Sequence, residues 1–301
     1  MYIFSVFGHI LSCLREFAKG DLRMTCSLTF AVIGGDRRSF FAAKRLREYG
    51  FETNLFGLEN EKTYDPSEKI RADAVLFPIP FSKDGRHLFA PESKEKILIS
   101  DVLASISEEA LIFAGGVNGI TDHRITDYAK REDFALMNAV PTAEGALMLA
   151  LQNGKITVDG MAVAVIGFGR VACAVARLFS AVGADITVFA RKEQARAEAH
   201  ILGYTAKPLS ALEECADVYA LIINTVPARI FDQNILSRIR KDALLMELAS
   251  APYALDFKEA EALGVRTLLA SGLPGKYFPE TAGYAVAKTV LNVLREKQIL
   301  F

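Results

Sequence analysis

At 301 residues, 51% hydrophobic and 24% charged, the chain has room for two ordinary domains with well-filled cores. A formal net charge of −1 argues against nucleic acid or a membrane surface as an electrostatic partner. Four cysteines, Cys13, Cys26, Cys173 and Cys215, show neither CxxC nor Cys/His spacing, so no metal site or disulfide framework is indicated and a reducing cytoplasm fits.

The chain opens on a short apolar run, Tyr2 to Leu14, interrupted by His9 and followed by Arg15, Glu16 and Lys19. It is too short to span a bilayer and lacks the basic start and small-residue cleavage site of a signal peptide. It reads either as an amphipathic N-terminal helix or as sequence upstream of a true start at Met24, with residues 1–23 as an extension. Phe30 to Ile33 then reads as a strand entering a glycine turn, Gly34-Gly35-Asp36, with a helical pattern from Phe40 to Tyr49. Glu52 to Phe56 and Ala74 to Phe77 follow as strands, the second stopped by Pro78-Ile-Pro80. Leu111 to Ala114 is another strand ending in Gly115-Gly116, and Phe134 to Met137 is a candidate further one. Strands alternating with helical patterns imply a parallel sheet covered on both faces. This first glycine turn lacks GxGxxG spacing, so residues 24–150 read as a Rossmann-like, substrate-side domain without a dinucleotide. Pro141-Thr-Ala-Glu144 and the apolar run to Leu151 predict a bridging helix that starts near Pro141 and ends at Asn153-Gly154.

The second domain, residues 151–278, opens on the most informative segment. Met161 to Ile166 is an apolar strand running into Gly167-Phe-Gly169-Arg-Val-Ala172, followed by an amphipathic run to Val182. Gly167 permits the tight turn, Gly169 lets backbone N–H groups approach a pyrophosphate, and Ala172 allows close helix–strand packing. A diphosphate would sit on the positive end of the helix. Asp185 to Ala190 is the next strand, and Arg191-Lys192 stand at its end where an NAD enzyme usually places an acid; none occurs before Glu193. A guanidinium pairs two N–H groups with phosphate oxygens, so Arg191 suits the 2′-phosphate of NADP, a solvated Arg-Lys pair being the alternative. Val218 to Ile223, Ala243 to Glu247 and Val265 to Leu269 complete the second sheet. After Gly272-Leu-Pro-Gly275, residues 279–301 contain a long amphipathic helix, Thr281 to Leu294, expected to return to the first domain. The fold class is therefore α/β: two Rossmann-like doubly wound parallel sheets joined by a bridging helix.

Ligands in such sheets bind beyond the carboxyl ends of the strands. On the nucleotide side those ends supply Gly167, Phe168, Gly169, Arg170, Val171, Arg191, Lys192, Thr225, Val226, Pro227, Ala249 and Leu273. On the substrate side they supply Asp36, Arg38, Gly116, Pro141 and Thr142, with Arg38 (or Arg37) suited to a substrate carboxylate. Glu144 is the candidate proton acceptor, against a simpler role as a helix N-terminal carboxylate. His123 is a further candidate base, and no histidine follows His200, which disfavours a 2-hydroxyacid dehydrogenase using a late acid/base histidine.

Taken in order, Ile33-Gly-Gly-Asp36, Arg38, Pro141-Thr-Ala-Glu-Gly145, Ala164-Val-Ile-Gly-Phe-Gly-Arg170, Asn224-Thr-Val-Pro227, Asp256-Phe-Lys258, Gly272-Leu-Pro-Gly275 and Thr281-Ala-Gly283 closely resemble the A-subunit family of dipicolinate synthases from endospore-forming bacteria. The resemblance runs from about Met24 to the last helix and leaves residues 1–23 outside. It implies NADP-dependent oxidation of a dihydrodipicolinate-type precursor to pyridine-2,6-dicarboxylate. It also implies a partner, a flavoprotein-like B subunit, and the mother-cell cytoplasm during sporulation. A homo-oligomer is compatible with it. The alternatives are an NAD(P)-dependent dehydrogenase of another small acid, or a non-catalytic nucleotide-sensing subunit.

Overall fold

The computed structural model describes residues 28–58, 64–65 and 68–300; the readings of Tyr2 to Leu14, Met24, Cys13 and Cys26 lie outside the described residues. Two all-parallel sheets stand in series. The first contains β1 (Thr29–Ile33), β2 (Glu52–Phe56), β3 (Ala74–Leu76), β4 (Leu111–Ala114) and β5 (Ile125–Asp127), in the order β2-β1-β3-β4-β5. Helices α1 (Arg37–Glu48) and α2 (Ile99–Ser105) belong to it. The second contains β6 (Ala162–Ile166), β7 (Asp185–Ala190), β8 (Thr205–Pro208), β9 (Leu221–Asn224), β10 (Leu244–Glu247) and β11 (Arg266–Leu269), in the order β11-β10-β9-β6-β7-β8. Helices α4 (Arg170–Ala181), α5 (Glu193–Ile201), α6 (Leu212–Cys215), α7 (Gln233–Arg238) and α8 (Phe257–Ala262) connect these strands. Strand order reverses between β1 and β3 in one sheet and between β6 and β9 in the other, the places where doubly wound sheets open a crevice for ligands.

Residue choice explains the layers. In β6 four successive residues, Val163 to Ile166, are buried, as expected of a strand covered on both faces. In α4 the buried set Ala172, Val175, Ala176 and Phe179 falls at helical spacing on one face. Each sheet packs two apolar clusters, one per face.

The bridging helix is longer than its sequence suggests. It is α3 (Glu132–Asn153), and Pro141 lies inside it, not at its start. The expected strand at Phe134 to Met137 lies within its first two turns. A four-residue apolar run carries no periodicity of its own, and α3 is apolar nearly all round because it serves two cores. Phe134 joins the first core, whereas Ala143, Ala146, Leu149 and Ala150 join the second. By length and composition α3 could cross a membrane; here half of it is buried between the sheets. Short helix α9 (Leu273–Tyr277) follows β11, and α10 (Pro279–Glu296) then returns to lie against α1, adding Ala285 to Ala287, Val290, Leu291, Val293 and Leu294 to the first core. An Arg131–Glu296 ion pair at 2.7 Å ties the start of α3 to the end of α10.

Candidate nucleotide and substrate site

The nucleotide side is built at the reversal of the second sheet. Gly167 leaves β6 at φ +93°, and a Cβ there would stand 2.7 Å from Val226 Cγ2 and 2.8 Å from Thr225 Oγ1. Only glycine fits both the backbone and the space. Thr225 Oγ1 donates to Ile166 O at 2.8 Å, clamping the ends of β6 and β9 together. Gly169 occupies the N-cap of α4 without a side-chain cap, and a Cβ on it would meet nothing within 4 Å. The start of α4 thus has no side-chain cap and no neighbour crowding Gly169, as an anion site at a helix N-terminus requires. Half-buried Phe168 packs edge-on against Tyr204, and Val171 packs against the second core.

Arg191 and Lys192 are both exposed at the end of β7, and neither side chain has a hydrogen bond or ion pair among the described residues. The neighbouring Arg196 is engaged: it donates to the carbonyls of Ala190 and Arg191 and pairs with Glu193. Glu193, the nearest acid along the chain after β7, is therefore already held. Arg170 in the first turn of α4 pairs with Glu132 of α3 at 2.5 Å.

Three other nucleotide-side residues are engaged within the protein. Leu273 is 1% exposed and rests on Gly145, where a Cβ would approach its own Cβ to 2.9 Å, so its side chain packs α9 on α3. The Ala249 N–H donates to Glu247 Oε1, and the Val226 N–H to Asn224 Oδ1. Pro227 is exposed beside them.

Of the residues expected on the substrate side, Asp36 and Arg38 stand together where the order of the first sheet reverses. Asp36 caps α1 by accepting from Arg38 N–H, and folds Arg38 back on itself through Nε at 2.9 Å and Nη2 at 2.8 Å. Arg38 Nη2 also donates to Ile79 O at 2.5 Å. Arg38 is thus already paired with a carboxylate of its own, and the edge carrying Nη1 is what remains for a ligand. A small hollow beside it is lined by Asp36, Arg38, Ser39, Phe77, Ile79 and Tyr128. Tyr128 donates to Phe77 O at 3.1 Å, and burial pushes its phenol far above the ordinary range. Gly116 donates its N–H to Asp127 Oδ1, so its loop is pinned rather than open.

On α3, Pro141 and Thr142 are buried, and the Thr142 hydroxyl donates to Asn138 O within the helix. Glu144 is exposed and has no hydrogen bond or ion pair among the described residues. Because α3 begins at Glu132, a helix N-terminal role for Glu144 falls away. His123 is exposed on a loop.

The two sides meet. Arg170 of the second sheet's helix touches Glu132, and Gly275 of α9 lies so close to Arg38 that a Cβ there would stand 2.8 Å from Nε. The residue missed by sequence reading is Glu247, fully buried at the end of β10 and bonded at 2.7 Å to Asn224, itself fully buried at the end of β9. A charged residue closing the apolar strand Leu244-Leu-Met-Glu247 was the available signal.

Residues 29–139 match the family profile of the N-terminal domain of the dipicolinate synthase A subunit, and residues 142–258 match the D-isomer specific 2-hydroxyacid dehydrogenase NAD-binding domain. Fold and site together define an oxidoreductase of two Rossmann-like domains that takes a nicotinamide dinucleotide. The chain is 32% identical over 292 residues to the A subunit of dipicolinate synthase from Bacillus subtilis (strain 168), covering 91% of this chain and 98% of that one. Among solved structures, the dipicolinate synthase A chain from Bacillus subtilis superposes with a TM-score of 0.80 at 30% identity, covering 92% of this chain and 99% of that one. The Bacillus halodurans counterpart, also a dipicolinate synthase A subunit, gives 0.79 at 28% identity, covering 90% and 99%. A D-lactate dehydrogenase from Sporolactobacillus sp. shares the fold alone, with a TM-score of 0.60 at 14% identity over 89% of this chain and 95% of that one. The chain belongs to the A-subunit family of dipicolinate synthases.

Proposed function

We propose that this chain oxidises a dihydrodipicolinate-type precursor to dipicolinate with NADP as cofactor, in the mother-cell cytoplasm and together with a B subunit. The observation that carries this reading is the convergence of two sites: an anion-ready glycine turn and a fixed arginine, joined through α9 and the Arg170–Glu132 pair. Bound nicotinamide would supply the hydride acceptor. The chain's own residues do the rest. The first turn of α4 would hold the diphosphate, and Arg191 with Lys192 the 2′-phosphate, since neither cation has a partner among the described residues while Glu193 is held by Arg196. Arg38 would offer its Nη1 edge to one substrate carboxylate, because a dicarboxylate entering a cleft needs fixed donors. Exposed Glu144 would take the proton released with the hydride.

Aromatisation supplies the driving force, so a strong base is not demanded. Holding the reacting carbon in place can contribute about 7–11 kcal/mol of the barrier. Co-expression with the B subunit, following dipicolinate formation against NADP and NAD, tests the activity. Arg191→Asp should weaken NADP binding by about 1.5–3 kcal/mol, the range for a hydrogen bond to a charged group. Equal affinity of the unmodified protein for both dinucleotides would overturn the NADP assignment.

A further inference from the structure

Glu247 is 0% exposed, yet it ends a strand at the ligand-facing edge of the nucleotide sheet. Every group bonded to it is a donor: Asn224 Nδ2 at 2.7 Å and Ala249 N–H at 2.9 Å on Oε1, Ala254 N–H at 2.9 Å on Oε2. A protonated acid would need an acceptor for its own O–H, and these three partners offer none. The donor set selects the carboxylate, although burial pushes the group up from its ordinary range. No arginine, lysine or histidine forms an ion pair with it among the described residues. The result is a buried negative charge held by neutral dipoles alone.

Its position gives that charge a use. The β7 end, with Arg191 and Lys192, marks the adenosine side of the crevice. The other half of a dinucleotide crossing the reversal point would therefore lie toward β9 and β10, whose last residues, Asn224 and Glu247, are register partners. Glu247 also shapes that wall. Through Asn224 it fixes Val226, which accepts from Asn224 Nδ2 at 3.0 Å and abuts Gly167. Through Ala254, whose carbonyl accepts from the N–H groups of Ile230 and Phe231 at 2.9 Å each, it joins the loops that follow β9 and β10.

We propose that Glu247 is the residue by which this protein distinguishes the redox state of its nucleotide: its uncompensated carboxylate favours the oxidised, cationic nicotinamide over the neutral reduced ring. The inference rests on the nucleotide-site reading above and adds a direction to it. An enzyme working oxidatively must load the oxidised form and release the reduced one, and a fixed negative charge behind the ring serves both steps. Asn224 acts as its positioning partner.

Equilibrium titrations of the full chain with NADP+ and with NADPH test this without turnover. Glu247→Gln should weaken NADP+ binding about tenfold and leave NADPH within about twofold, the scale of one unit charge acting through protein. Glu247→Asp, which keeps the charge, should retain the unmodified ratio of the two affinities. Equal weakening of both nucleotides by Glu247→Gln would reduce Glu247 to a structural clamp and overturn the proposal. So would an unmodified protein that binds NADPH about tenfold or more tightly than NADP+, a result that needs no variant to fold. An unmodified protein that binds neither nucleotide would overturn the nucleotide-site reading itself and this proposal with it.

Discussion

Gly283→Ala sets two helix effects against each other. Gly283 lies in α10 where that helix presses on α1, and alanine should help an ordinary helix by about 1 kcal/mol. Here an added Cβ would stand 2.5 Å from Arg38 O, 2.7 Å from Phe41 Cβ and 2.9 Å from Ala42 N. Two of the three are backbone atoms of a helix and cannot rotate away. Reaching ordinary contact requires α1 and α10 to separate by nearly 1 Å, which opens the first core along Ala285, Val286 and Val290. Overpacking of this kind costs about 1–3 kcal/mol, and the backbone contacts place this site at the upper end. Net destabilisation of about 2 kcal/mol should lower Tm by about 4–8 °C in a chain of this size. Activity should fall further than stability, because the clash falls on Arg38 itself and shifts its guanidinium against Asp36 and Ile79. Thermal and urea unfolding, with NADP titration of the folded variant, measure both effects. A Tm equal to or above that of the unmodified protein would refute the packing argument.

Gly167→Ala should lower nucleotide affinity by about tenfold or more, since φ +93° and contacts of 2.7 and 2.8 Å leave no room for a methyl group; unchanged affinity in a titration would contradict the site. Arg38→Ala should raise KM for substrate with NADP affinity nearly unaltered, and Arg170→Ala should do the reverse; steady-state assays in which both variants lose the same parameter would dismiss the two-sided arrangement. Hydrogen bonds from Arg131 hold Glu296 below its ordinary range, and at Asp133 bonds from Arg131 and Asn292 outweigh the upward push of burial. Both folded values lie below the unfolded ones, so this contribution is full above the unfolded carboxylate range and disappears as pH falls below about 4. Arg131→Ala should therefore flatten the acid limb of a Tm-against-pH profile, and an unchanged limb would discount the pair.

What the sequence disclosed follows from how local the determinants are. The β6–Gly167–α4 unit was readable because its strand, turn and helix each depend on neighbours within a few positions. Helix α10 is readable from its amphipathic pattern, and its return to the first domain only from the two-domain architecture. The start of α3 was not: a helix shared by two cores loses its polar stripe, and Pro141 then mimics an N-terminus. Edge strands β5 and β8 escaped notice because they have only three and four residues and no fully buried position. The place of Arg38 (or Arg37) beyond a glycine turn suggests a carboxylate partner, but the engagement of Arg38 by Asp36 depends on a rotamer that folds back two residues. Glu247 was read only as the end of a strand, because its Asn224 partner lies 23 residues away and meets it through register alone.

The two cationic sites differ in a way that matches the tasks proposed for them. Arg38 is held through Nε and Nη2 before any ligand arrives, so its side-chain entropy is already lost and its remaining edge points in one direction. On the proposed reading a substrate meeting that edge would be oriented as it binds, and orientation is the quantity that lowers the barrier to hydride transfer. Its charge is partly neutralised by Asp36, so it contributes direction more than attraction. Arg191 and Lys192 have the opposite character. They are exposed and have no hydrogen bond or ion pair among the described residues, which would suit capture of a phosphate far from the reacting atoms, where position is uncritical and attraction suffices. On that reading rigidity would belong beside the chemistry and freedom at the far end of the cofactor. Asp36→Asn is the substitution that separates the two: by loosening Arg38 without removing its charge, it should lower kcat more than it raises KM, and a purely KM effect would show that Arg38 serves affinity alone.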